Sequence, residues 1–447
     1  MKHNILITLL LSISSVTVMH AQKITLSLIE ALEKAKQGNK ALQVQVLEEI
    51  NAKEITRETK GGLLPTISGN LGYSYYFNRQ TIFLPGSFAG TNMPVQDIAV
   101  GGKNAYNAYL SLNQPLIKPV IRHQIKAATI NEQIENEKTT DLKSRLALKV
   151  SSRYLDILMM SRQLDLLDQS LHRNIKAFQD SRSLLAQGRG LKSDTLRSFI
   201  AVENLKSSIS YLKNNIEVAG IELKRLIGLE DPSQLYLTDN IELDIQESKS
   251  VIYQVNEAFQ IAEANRKDLK IQKLSIDLQR NKIKTTQALL LPEVTLIGQY
   301  QVQAQSDDLR FGQYTLPRTS FLGLQLTIPI FNGNRIKSQI CQAKIKGEQE
   351  DIRLTDLKGE VKTELASIIS KWKEAGLQMD VQNATVQSAA LNHQMMDDRF
   401  KNSLATRLEL TDAELALTQA KINYLNTVYN QRMLYVELQY TLGLLSL

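Results

Sequence analysis

The sequence predicts a mainly α-helical protein with a small β part, written as an internal duplication of one helix–strand–strand–helix module. Three observations predict it. The same junction occurs twice: GLLPTISGNLGY at 62–73 and LLLPEVTLIGQY at 289–300 each pass from a charged, helix-like segment through one proline into alternation. Glycine and proline are both absent from 120–187 and from 403–442, so nothing in these stretches interrupts a long helix. Four blocks of about ten residues alternate polar and apolar positions, the period of a half-covered strand.

The first 21 residues read as a secretory signal peptide. Lys2 and His3 precede the apolar run ILITLLLSISSVTV, and Ala21 closes a cleavage site before Gln22. A basic start, a short apolar core and a small residue at the cut are its marks. The core is too short to span a bilayer, and no other run approaches the ~18 apolar residues of a transmembrane helix. Cys341 is the only cysteine. It excludes an internal disulfide and an acylated cysteine after the signal.

The duplication gives the domain layout. Pro65 matches Pro292, 227 residues on, and the same shift pairs Glu30–Ala31 with Glu257–Ala258, Leu42 with Leu269 and Tyr73 with Tyr300. Further along the shift falls to about 215, pairing Gln124–Ile125 with Gln339–Ile340 and Ile227–Gly228–Leu229 with Leu442–Gly443–Leu444. The first copy therefore has the longer strand–strand loop. The layout is a first repeat over 22–229, a linker over 230–250 and a second repeat over 251–447. Helical-hairpin turns are expected near 188–193 and 402–407. A period this long is two copies of a large module, not a solenoid.

The prolines mark the element boundaries. Pro65 and Pro292 end helices, Pro115, Pro119 and Pro329 are expected to precede them, and Pro85, Pro94 and Pro317 lie between strands. Apolar residues then recur in steps of three and four, as in Leu142, Leu146, Val150, Tyr154 and Ile157, or Leu410, Ala413, Leu417, Ala420, Tyr424 and Val428. Each stripe is one buried face of an amphipathic helix, a pattern that an ordinary helical bundle shares.

The strands are expected at about 66–77, 105–114, 293–303 and 319–330. Ile67, Gly69, Leu71, Tyr73, Tyr75 and Phe77 share one face of the first, and Leu322, Leu324, Leu326, Ile328 and Ile330 one face of the fourth. The opposite faces are polar and mostly uncharged. Each strand has the length that a tilted membrane strand needs, and Tyr75, Phe77, Tyr106 and Phe321 fall near strand ends as interfacial aromatics would. Four strands are too few to close a barrel, because small barrels start at about eight. An unpaired edge in lipid costs several kcal/mol per orphan group. A membrane reading therefore requires strands pooled from several copies; a soluble sheet with one wet face is the other reading.

The residues also resemble a known family, the TolC-like outer-membrane efflux channels. The resemblance rests on LLP at 63–65 and 290–292, NQPLIKP at 113–119, TIPIFNGNR at 327–335, GRGLKSDTL at 188–196, RFKNSLATRLELTDAELAL at 399–417 and the closing LGL. It covers essentially the whole mature chain. It implies a homotrimer in which four strands per protomer make a twelve-stranded transmembrane β-barrel, with a long-helix α-barrel in the periplasm. It implies a passive exit duct in the outer membrane of a Gram-negative cell, serving a tripartite efflux pump or type I secretion system. The implied partners are a periplasmic adaptor, an inner-membrane transporter and outer-membrane lipid. A soluble periplasmic coiled-coil adaptor or scaffold is the alternative.

Two places carry the implied site. Aligned on Ala413, Glu409 and Asp412 fall where some members place acidic residues that ring the periplasmic aperture. Spacing of three puts them on one helix face, and three copies would supply six carboxylates. Acids in a first helical turn also simply favour the helix dipole. The hairpin turns, with Gly188, Gly190 and Lys192 in the first and Asn402, Ser403 and Arg407 in the second, are where an adaptor would dock. The second turn departs from the family by having no glycine after its aromatic, Phe400, so Asn402 is expected to bear the turn conformation.

Enzyme chemistry is not legible. The histidines, His3, His20, His123, His172 and His393, have no metal-ligand spacing. Gly101–Gly102–Lys103 lacks the rest of a phosphate loop. The net charge of +7 over 447 residues contains no block of like charge, which argues against nucleic acid. No cofactor and no metal is expected.

Overall fold

A computed structural model describes residues 24–90, 94–230, 233, 235–239, 254–308, 315–402 and 404–447. The proposed signal peptide, Ser403 and most of the expected linker lie outside the described residues. The chain divides into two compact units, one of residues 1–47, 137–270 and 355–447, the other of 48–136 and 271–354.

The first unit is mainly helical, and four of its helices run on into the second. A short strand β1 (Ile24–Leu26) leads into α1 (Leu28–Gly38), and α2 (Lys40–Gly61) follows after one residue, Asn39. Helix α3 (Pro119–Ala186) runs 68 residues without a break, about 100 Å at 1.5 Å per residue. It turns into α4 (Lys192–Ile227). The second repeat uses the same plan: α5 (Val255–Asn265), α6 (Lys267–Ala288), α7 (Arg335–Lys401) and α8 (Arg407–Thr441). Glu30, matched by Glu257, is the third helical residue of a capping box in each copy, closed on Ser27 and on Gln254. The alanines beside them, Ala31 and Ala258, are fully buried. The repeated dipeptide is thus a helix start and its first core contact.

The core of the first copy gathers Ala31, Ala35, Leu42, Leu146, Val150, Tyr154, Leu223 and Ile227 from α1 to α4. Each is small or fully apolar but one. The Tyr154 hydroxyl is paired with the Leu26 carbonyl at 3.0 Å and with Asp239 at 2.8 Å, and Asp239 also accepts from the Leu28 N–H at 2.9 Å. Asp239 closes the region where β1 pairs in parallel with β6 (Leu235–Leu237). Part of the segment expected to be a linker is therefore a strand, because the first β residues of the chain need a partner.

Each copy closes on itself at an equivalent joint. Gly228 ends α4 in the left-handed region at φ 70°, and a Cβ there would lie 2.2 Å from the Gly38 carbonyl oxygen. Gly443 ends the second copy at φ 75°, and its Cβ would meet the Arg266 nitrogen at 2.7 Å. Side chains then lock each joint. Asn39 donates to the Leu226 carbonyl at 2.8 Å, and in the second copy Arg266 donates to the Thr441 carbonyl at 3.3 Å. Asn39 and Arg266 stand at equivalent positions, 227 apart.

The second unit holds the β part. Strands β2 (Thr66–Tyr75), β5 (Asn104–Ile117), β7 (Glu293–Ser306) and β8 (Arg318–Thr327) form one antiparallel sheet in the order β2-β5-β7-β8. A separate hairpin, β3 (Gln80–Leu84) and β4 (Gln96–Val100), fills the longer loop of the first copy. That loop was not expected to pair. Pro115 is a further correction: it lies inside β5, at the register shift between Pro115 and Ile117, and not at a helix start. A bulge accommodates the missing N–H, and Pro119 alone opens α3, where a missing donor costs nothing.

Substituting Gly228→Ala should destabilise the folded protein by about 1–3 kcal/mol, because the new Cβ meets backbone that cannot swing aside. Thermal unfolding of detergent-solubilised protein checks this. A melting temperature equal to the parent's would refute the close joint.

Candidate functional site

The register assigns the faces of the sheet. Ile67 stands beside Leu112, Leu112 beside Gly298, and Gly298 beside Leu322. The next such row is Gly69, Leu110, Tyr300 and Ser320, and the rows of Leu71, Ala108 and Val302 and of Tyr73, Tyr106 and Ala304 follow. Together with Leu324 and Leu326 these rows make one apolar face. It is uncovered: Leu71 is 90% exposed and Leu322 and Leu324 are each 69% exposed. Burying one such side chain is worth about 1.5–3 kcal/mol, so water is the wrong solvent for this face. The other face carries Ser68, Ser111 and Gln299, then Asn70, Tyr109, Gln301 and Thr319. Its side chains bond to one another, with the Ser68 and Ser111 hydroxyls 2.7 Å apart and Gln301 donating to Asn107 at 2.9 Å.

Of the expected interface aromatics, Tyr106 stacks with Tyr73 at 5.1 Å on the apolar face, and Tyr75 meets Phe77 edge-on at 5.4 Å. Phe77 lies beyond the end of β2. Phe321 departs from the set, because it pairs with Gln299 and shares the polar face. At the loop end, Arg79 pairs with Asp307 at 2.6 Å. The Gly101–Gly102 turn sits against Gln305 and Ser306 so closely that a Cβ at Gly102 would lie 2.4 Å from Ser306.

In the helical unit, the first hairpin turn is a glycine cap. Gly188 takes φ 70°, and the Gly188 and Arg189 N–H groups return to Leu185 and Leu184, the pattern of a Schellman closure. Gly190 passes within reach of Leu184 and Leu185, leaving no room for a side chain. Lys192 is exposed. The second turn works differently. Asn402 does not take positive φ; its side chain donates to the Asp398 carbonyl at 2.8 Å instead. The Leu404 N–H returns to Arg399 at 2.8 Å. Arg407 is partly covered rather than displayed, with its guanidinium over the Phe400 ring at 5.3 Å. Burial draws its pKa down, against the pull of Asp180, Glu414, Asp194 and Asp397.

Glu409 and Asp412 are both exposed and share one face of α8, while Leu410, Ala413 and Glu414 point inward. Glu409 already has a structural duty. It closes a capping box with Thr406, accepting from the Thr406 N–H at 2.6 Å. Those bonds, first to the Thr406 backbone and then to its hydroxyl, hold its carboxyl below the usual range. The cap is therefore intact at neutral pH and is lost as pH falls through that lowered pKa.

Sequence reasoning missed Glu414. It is only 6% exposed, and its carboxylate accepts from Asn174 at 2.9 Å, Arg173 at 3.1 Å and Ser170 at 3.4 Å, all on α3. Thr418 joins the cluster through Ser170. A buried carboxylate persists only when paired and hydrogen-bonded, so this cluster fixes α8 on α3.

The family match follows the same architecture. Residues 258–444 match the family described as outer membrane efflux protein. Along the whole chain, the Proteases secretion protein PrtF of Dickeya chrysanthemi is 21% identical, over 99% of this chain and 92% of its own length. The match to the outer membrane efflux protein family thus spans the second repeat, and the likeness to its members runs along the whole chain. The Outer membrane protein TolC of Escherichia coli is 21% identical over 94% of this chain and 83% of its own. The crystal structure of CusC superposes with a TM-score of 0.77 at 17% identity, covering 93% of this chain and 92% of that one. Among the described residues, no group of three or more His, Cys, Asp or Glu is placed to hold a metal ion.

Replacing Glu414 by Ala should cost about 2 kcal/mol, because Asn174 and Arg173 lose their acceptor. Amides in the first turns of α8 should then exchange with solvent roughly thirtyfold faster. Glu414→Gln keeps an acceptor for Asn174 and should cost less. Equal exchange in all three proteins would remove the clamp.

Proposed function

We propose that the chain is the passive outer-membrane exit duct of a tripartite efflux pump or type I secretion system, working as a homotrimer opened by a periplasmic adaptor. One observation carries the reading: a four-stranded sheet with an uncovered apolar face and two open edges, β2 and β8. The strands alternate in direction, so β2 and β8 run oppositely. Strand β8 of one copy therefore fits antiparallel against β2 of the next. Such a head-to-tail contact closes when rotation returns to its start. Three copies give twelve strands and leave no edge in lipid.

The apolar face then meets the hydrocarbon, and Tyr75, Phe77 and Tyr106 stand in the interfacial girdle. The helical barrel belongs to the periplasm. The relatives support transport from the cell: PrtF is named for protease secretion and the CusC work for transmembrane channel formation. The inner-membrane transporter supplies the energy and the choice of cargo. The turns around Gly188, Gly190 and Lys192, and around Asn402 and Arg407, face the adaptor. Glu409 and Asp412 ring the aperture, where three copies would concentrate cations. A soluble adaptor does not account for the exposed apolar sheet.

Two measurements test this. Cysteines introduced singly along Ile67–Tyr73 and along Thr319–Gln325, combined pairwise in a Cys341→Ser background, should give oxidised trimers for in-register pairs. Monomers throughout would sink the shared barrel. For the aperture, Glu409→Gln with Asp412→Asn removes charge while glutamine preserves the capping box. Multivalent-cation block in planar bilayers should weaken about tenfold, since several carboxylates are lost at once. Unchanged block would place both residues outside the aperture.

A further inference from the structure

The wall that the sheet offers to cargo is without free charge. Strands β2 and β5 contain no charged residue. Strand β7 has one, Glu293, and β8 has one, Arg318. Arg318 pairs with Val302 and so belongs to the apolar face. Glu293 stands at the helix end of the sheet, and its carboxylate is 3.7 Å from the Lys118 ammonium. Between that pair and the Arg79–Asp307 pair at the loop end, the polar face holds serine, threonine, asparagine, glutamine and a few uncharged larger residues. Its glutamines are joined in a ladder, Gln299 donating to Gln301 at 3.0 Å and Gln301 to Gln303 at 3.5 Å as well as to Asn107.

A charged ring in a pore concentrates one sign of ion and holds it. A primary amide does neither. It donates and accepts, so a passing polar group exchanges water for wall at little net cost. The Glu293–Lys118 and Arg79–Asp307 charges at the two ends lie in pairs, and no charged residue of the strands stands on the polar face between them.

We propose that the strand segment is a charge-blind sleeve, which lets hydrophilic cargo of either sign of charge pass without retaining it. This rests on the proposed duct, with the polar face inward. Filtering by charge then falls to the helical part.

The test reads the local potential directly. In a Cys341→Ser background, a single cysteine is placed at Gln301 on the polar face or at Val302 on the apolar face, in proteoliposomes. Each is treated with methanethiosulfonates carrying an ammonium or a sulfonate, and rates are normalised to free cysteine. At Gln301→Cys both reagents should react, with a normalised cation-to-anion ratio within about fivefold of one, as expected without a nearby fixed charge. Adding Gln303→Glu should move that ratio toward the cationic reagent, which shows that the probe senses charge. A larger preference of either sign in the parent overturns the sleeve while leaving the duct in place. No reaction at Gln301→Cys, with ready reaction at Val302→Cys, overturns the inward face and the duct together. Gln303→Cys repeats the measurement if the Gln301 variant fails to assemble.

Discussion

Every strand has two rows of N–H and C=O groups, and the outer rows of an edge strand must find partners. Water supplies them at a soluble surface. Hydrocarbon does not, and each orphan then costs several kcal/mol. This sheet ends in two such edges and presents an apolar face that no part of the described chain covers. In hydrocarbon such an arrangement would need more strands of the same kind, and the alternating strand directions allow those to come from identical neighbours. The duplication serves the same end, since each copy delivers two strands whose helix-linked ends lie at one side of the sheet.

The repeats keep a backbone joint and change its chemistry. In both, a left-handed glycine lets the end of the last helix touch the break between the first two. The first copy fastens this joint with the neutral Asn39. The second uses Arg266, bound to Asp268 and Glu364 at 2.8 Å as well as to a helix-end carbonyl. Burial works against the Arg266 charge, but those two carboxylates outweigh it and raise its pKa. The hairpin turns diverge likewise, one closed by Gly188 and the other by the side chain of Asn402. Duplicated geometry with divergent side chains is what a scaffold shows when position is constrained more tightly than residue type.

Charge is distributed unevenly along the molecule. The strand face that carries glutamines is neutral, whereas the helical hairpins hold Glu409 and Asp412 at the surface and Glu414 inside. Of these acids, one closes a cap, one is exposed without a described partner, and one clamps two helices. Their near-identical chemistry produces three roles because helix phase decides which side each one faces.

Much of the fold was legible in the sequence. Proline and glycine placement marked where helices stop, because backbone sterics act locally. Period-two alternation marked the four main strands, because side chains along a strand alternate by geometry. The pairing of β3 with β4, the seat of Pro115 within a bulge and the face taken by Phe321 were not legible. Each depends on register, which one strand does not contain. The candidate site was legible in part: Thr406–Glu409 has the spacing of a capping box, and Asp412 lies three residues on. Helix phase sets Glu414 beside the Leu410–Ala413–Leu417 stripe, but its partners were not legible, since they meet it only once α3 brings Ser170, Arg173 and Asn174 against α8. The sequence by itself determined where elements begin and end and which face of each is apolar, because those follow from covalent neighbours. Tertiary structure alone decided which polar groups are buried, which edges stay open and which joints need glycine, because those are set by distances between residues far apart in the chain.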